Sequence, residues 1–134
     1  MTVQRILIVA VAVLAVAWLG VSYGNARQIR HAQIVAADPH ATPAAIESAL
    51  RDARSAHTLD PSRTESLSYA AALEIKAGRL DEARKLYEQI VRREPDSPEA
   101  WVVLSKLTQQ SDPARSAQAV AQARRLDPLD APKP

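Results

Sequence analysis

The sequence has no cysteine and no phenylalanine, only 3 glycines, and just 4% aromatic residues. The lack of thiols excludes disulfides, thiolate zinc sites, cysteine-ligated iron–sulfur clusters and cysteine nucleophiles. The glycines make no phosphate loop. At 134 residues there is no room for a large catalytic barrel or a doubly wound sheet. Strong charge of either sign is also missing, the net charge being +2. The first 24 residues hold one arginine and no acid, which leaves 16 basic residues against 15 acidic ones in the rest. A phosphate-dominated nucleic-acid surface is therefore not expected.

What is plentiful is alanine, 26 residues by direct count. With so little glycine and aromatic bulk, that composition favours closely packed helices over a sandwich or barrel, so the expected class is all-α. One long apolar run interrupts the polar chain: Ile6 to Val21 reads ILIVAVAVLAVAWLGV. Residues 6–24 would span about 28 Å as a helix, close to the hydrocarbon thickness of a bilayer, and predict an N-terminal transmembrane helix in residues 1–24 that contacts membrane lipid. Trp18 and Tyr23 suit the headgroup level, with Arg27 and Arg30 in the polar flank. A cleaved signal peptide is the alternative, with Arg5 as its positive region and Gly24-Asn25-Ala26 before the cleavage point. A buried soluble helix is a third reading. The basic flanks nearly balance, and the expectation leans to a single-pass protein of a bacterial cell envelope with an extracytoplasmic body.

Beyond this run the prolines keep time. Pro61 and Pro95 lie 34 residues apart, and Pro128 follows after 33. Each closes a helical pattern whose apolar face can be matched by counting back from the proline: Ala53, Tyr87 and Val120, then Ala56, Ile90 and Ala123. Start signals agree. Ser62 with Glu65 reads as a capping box, and Ser97-Pro98 and Asp112-Pro113 as polar caps followed by a first-turn proline. Helices are expected at about 26–37, 43–58, 63–76, 80–93, 98–110 and 113–126, with a turn at Asp38 to Thr42 and a loose tail at 129–134. An alternative is that the first runs on from the apolar span as one long helix.

This pattern resembles the tetratricopeptide repeat family, built from antiparallel helix pairs. In residues 62–95, Leu67, Ala70, Ala71, Ala83, Tyr87, Ile90 and Pro95 fall on the family's packing positions, while Glu74 stands where an aromatic is usual. In residues 96–128, Trp101, Leu104, Ser105, Val120, Ala123 and Pro128 match, with Thr108 in place of the aromatic and Ser116 in place of alanine. Residues 25–61 look like a degenerate unit. The resemblance implies a short α-solenoid of about three helical hairpins, with two clear repeats in 62–128.

The same resemblance turns the first helix of each pair towards a concave surface, carrying Glu65, Ser68, Ala72 and Lys76, then Glu99, Val102, Lys106 and Gln109. Such a surface takes a protein partner, as a peptide or a helix. Members that grip terminal carboxylates use paired lysine, asparagine and arginine; here Ser68 and Ala72 occupy two polar positions and Lys106 stands alone. Tyr69, Lys76, Val102 and Lys106 are the candidate partner contacts on this side. Val120 and Leu126, with Ala123, form a second candidate seam on the last helix, because the tail is too short to supply another covering hairpin. Trp101 and Tyr87 read as packing residues.

Catalytic signals are weak. His31, His40 and His57 lack metal-motif spacing, no local serine, histidine and acid set stands out, and no catalytic, cofactor or metal residue is assigned. Arg92-Arg93 and Arg124-Arg125 sit near helix ends, where the macrodipole accounts for them. The expected function is a non-catalytic, membrane-tethered interaction module acting as adaptor or assembly factor, binding neither nucleic acid nor a small-molecule substrate. The alternative is a permanent accessory subunit of a larger membrane complex.

Overall fold

Proline dictates where these helices stop. In the computed structural model, which describes residues 13, 14, 24 and 26–128, Asp60, Glu94 and Asp127 each precede a proline and each leave the helical region, with φ of −136°, −124° and −137°. A following proline clashes with a residue in the α conformation, so the period of the prolines becomes the period of the helix ends. The described residues form six helices: α1 (26–37), α2 (Pro43–Leu59), α3 (Glu65–Lys76), α4 (Leu80–Arg93), α5 (Pro98–Thr108) and α6 (Pro113–Leu126).

Three helices start on a polar cap followed by proline. Thr42 accepts from the Ala45 amide at 3.2 Å, Ser97 from Ala100 at 3.4 Å and Asp112 from Arg115 at 3.0 Å. Each satisfies an orphan amide of the first turn. The expected capping box at Ser62 and Glu65 is corrected: α3 begins at Glu65 behind Thr64, which makes no side-chain cap bond. The Ser62 hydroxyl and amide instead turn back to the Asp60 carboxylate, at 2.5 and 3.3 Å. That local loop competes with a helix start. Between α3 and α4 the chain reverses at Gly78, whose φ of 76° suits a residue without Cβ, while the Arg79 amide reaches back to the Glu74 carbonyl at 2.9 Å.

The helices pair as hairpins α1–α2, α3–α4 and α5–α6, and from α2 onwards each packs on the next. One core joins Ala32 and Val35 of α1 to Ile46, Ala49, Leu50 and Ala53 of α2, and to Ala70 and Leu73 of α3. A second joins Leu67 of α3, Ile90 and Val91 of α4, and Ala100 and Leu104 of α5. Leu86 touches both, so the cores form one continuous seam. Small residues hold the close approaches: Ala71, Ala83, Ala119 and Ala123 are buried, as are Ser105 and Ser116. The all-α helical-repeat architecture is thus present.

No helix among the described residues is long and apolar enough to cross a membrane. The described fold is therefore a helical repeat without the expected N-terminal transmembrane helix, which corrects that part of the fold expectation. Most of the run 6–24 that prompted it, and the expected tail 129–134, lie outside the described residues.

Candidate functional site: the groove between α3 and α5

Helices α3 and α5 leave a groove with α4 beneath it, lined by Glu65, Ser68 and Tyr69 of α3, Tyr87 and Ile90 of α4, and Glu99, Ala100 and Val103 of α5. Thr64, Glu94 and Ser97 close one end. The last turn of α4 places Ile90 at the floor, 2% exposed. Tyr87 is half-buried and packs against the Leu67–Leu104 core, and burial pushes its phenol above the ordinary tyrosine value. Tyr69 is also raised, by burial first and then by the charge and hydrogen bond of Glu65 one turn before it. Both rings line the groove. The Thr64 hydroxyl donates to the Glu94 carboxylate across the end.

The sequence candidates separate here. Tyr69 lines the groove. Val102 is half-buried on α5 beside Val103, and its carbonyl accepts from the Ser105 hydroxyl at 2.7 Å. Lys106 is exposed one turn further along. The Lys76 ammonium donates to the Asp38 carbonyl, tying the end of α3 to the α1–α2 turn. Val120 and Leu126 are half-buried on α6 and do not line this groove, while Ala123 between them is 1% exposed. Trp101 packs against the second core and donates from its indole nitrogen to the Pro95 carbonyl at 2.9 Å.

Thr64, Glu94 and Val103 were not singled out from sequence. Glu94 sits at a helix end beside a proline, where capping is sufficient to account for an acid, and only the approach of α5 turns it into a groove wall.

On the opposite side, Glu74 is fully buried and bound by two arginines. Its carboxylate accepts from Arg54 Nη2 at 2.8 Å and from Arg79 Nε, and Arg79 Nη1 reaches Glu47 at 2.7 Å. A neighbouring cavity holds His57 and Ser66, whose Nδ1 and Oγ lie 3.3 Å apart. The other ring nitrogen meets no carboxylate among the described residues, so a complete nucleophilic triad is not assembled there. Nor does any group of three His, Asp or Glu converge as a metal site among the described residues.

Residues 63–107 match the tetratricopeptide repeat family model, over α3, α4 and nearly all of α5. The matched segment supplies every wall of the groove, and repeats of this kind bind protein partners. The match covers about a third of the chain and supports the family resemblance over that interval. No curated protein matches the chain.

Proposed function

We propose that the chain is a non-catalytic adaptor or assembly factor whose α3–α5 groove receives a segment of a protein partner. The observation that carries this reading is the coincidence of the matched repeat with a groove that has an apolar floor and two tyrosine rings. Apolar anchors surrounded by polar groups are how such grooves hold a peptide or helix. Residues 25–61 serve as a supporting hairpin and 62–128 as the binding body.

A photo-crosslinking residue at Ser68 tests the proposal. A discrete partner should be captured, and capture should fall when Tyr69→Ala is added. A band indifferent to Tyr69, or none, defeats the reading.

Permanent packing as an accessory subunit is favoured by one observation, the half-buried Val120 and Leu126 on α6, the last helix among the described residues. Charged substitution there should then break a complex that Tyr69→Ala leaves intact. Location at a membrane rests on the apolar run 6–24 with Trp18, Tyr23, Arg27 and Arg30 at its end, and the extracytoplasmic side of the repeat body on a cleaved leader implying the same side. Alkaline washing of membranes tests it, and quantitative release rules it out.

A further inference from the structure

The charge on the groove is one-sided although the chain is nearly balanced. Glu65, Glu94 and Glu99 line it, and no lysine, arginine or histidine does. Elsewhere Glu47, Asp60, Glu74, Asp81, Glu82 and Glu88 all pair with an arginine or lysine. The three groove carboxylates have no such ion pair among the described residues. They do not converge as a metal-holding group either. Glu65 opens α3, Glu99 stands in the first turn of α5 and Glu94 follows the last turn of α4, so the three carboxylates gather at one end of the groove, whose lining also holds Tyr69, Tyr87, Ile90 and Val103.

The geometry points to an arginine-bearing segment of a partner protein as the occupant of this groove, a deepening that rests on the proposed partner-binding function. A guanidinium on a long apolar stem matches the site twice. Its planar donors suit exposed carboxylates at Glu65 and Glu99, and its face and stem suit the tyrosine rings. Apolar residues between the arginines would reach the Ile90 and Val103 floor. A segment carrying acids, or ending in a recognised carboxylate, would meet like charge at that end of the groove. The groove thus has the opposite polarity to a carboxylate grip, and Lys106 lies beyond its lining.

The test uses the full-length chain and a fluorescein-labelled, end-capped peptide alternating arginine with leucine, beside versions carrying glutamine or glutamate in place of arginine. Fluorescence anisotropy should show the arginine peptide binding about tenfold more tightly than the glutamine version, with the gap narrowing as salt rises. In E65Q/E99Q that gap should close. Both carboxylates are exposed, so the urea midpoint should hold; the single variants E65Q and E99Q, each narrowing the gap in part, serve as the second arm.

Equal affinity for the arginine and glutamine peptides, preference for glutamate, a gap that persists in E65Q/E99Q, or no binding of any peptide overturns the assignment. Those outcomes leave the parent reading to the Ser68 crosslink. Capture sensitive to Tyr69, together with indifference to arginine, would sink the cationic partner alone.

Discussion

The Ser116 hydroxyl of α6 donates to the Ser105 carbonyl of α5 at 2.8 Å, inside a buried contact between the two helices. Both serines stand at positions where a helix pair needs a small side chain, and here the polar atom is used rather than merely tolerated. Ser105 donates in turn to the Val102 carbonyl. Ser116→Ala should cost about 1 kcal/mol, the worth of one hydrogen bond; the Thr108 hydroxyl, 3.2 Å from the same carbonyl, makes its shorter bond to the Leu104 carbonyl at 2.8 Å. Ser116→Val keeps no donor and adds volume at a close approach, and should cost about 2 kcal/mol. Urea unfolding of both variants checks the order; a valine variant as stable as alanine would show that the helices are not in close contact there.

The buried Glu74 gives an asymmetric prediction. Its carboxylate is out of water while the Arg54 and Arg79 side chains remain 68% and 40% exposed. Deleting the acid frees two arginines that water can solvate; deleting Arg79 strands part of a buried charge. Glu74→Leu should therefore lie within about 1 kcal/mol of the parent. Arg79→Met should lower the urea midpoint further than Glu74→Leu does, and adding Glu74→Leu to Arg79→Met should restore part of the loss. No restoration in the double variant would show that the arginine acts through packing instead.

Trp101 is held at both ends, by the core around Leu104 and by the Pro95 carbonyl. Trp101→Phe keeps most of the apolar body and loses the indole donor, for a cost of about 1 kcal/mol. Trp101→Ala loses both, about 3 kcal/mol for a side chain that is only partly covered. If partner capture at Ser68 fell in Trp101→Phe at unchanged stability, the ring would be a contact rather than a strut.

Alkaline pH should loosen the fold through the tyrosines. Both Tyr69 and Tyr87 have phenols raised above the ordinary 10.0, Tyr69 by burial and then Glu65, Tyr87 by burial alone. Below pH 10 the phenol is neutral in folded and unfolded chains, and its contribution is complete. As pH rises past about 10 the unfolded chain ionises first and is favoured, so stability falls until the folded phenols ionise too. Denaturant midpoints measured across that window should decline, and Tyr87→Phe should flatten the decline. An unaltered slope in that variant would place the loss on other groups.

Much of the architecture was legible because proline and helix caps are local signals. The 34- and 33-residue spacing located three helix ends, and Ser97 and Asp112 cap the helices they were expected to cap. Ser62 misled because its alternative partner, Asp60, is equally local, and a capping motif does not say which bond wins. The Lys76 bond to the Asp38 carbonyl, 38 residues away, is a link no window of sequence contains. The groove walls followed the same divide: Tyr69 was found from its place on one helix, whereas Glu94 and Val103 become walls only when α4 and α5 are set side by side.

The Glu74 network also bears on how near-alike repeats find their proper neighbours. A helical repeat presents similar small and apolar residues on every pair, so a hairpin could dock out of order, or onto a neighbouring molecule, with modest loss of apolar contact. Only α2 brings Arg54 and Glu47 to the Glu74–Arg79 pair. Docked on a helix lacking those partners, α3 would carry a half-compensated carboxylate into its own interface. The aromatic expected at that position could have served any hydrophobic face, whereas the acid is matched only where Arg54 and Glu47 stand, at the seam between α2 and α3.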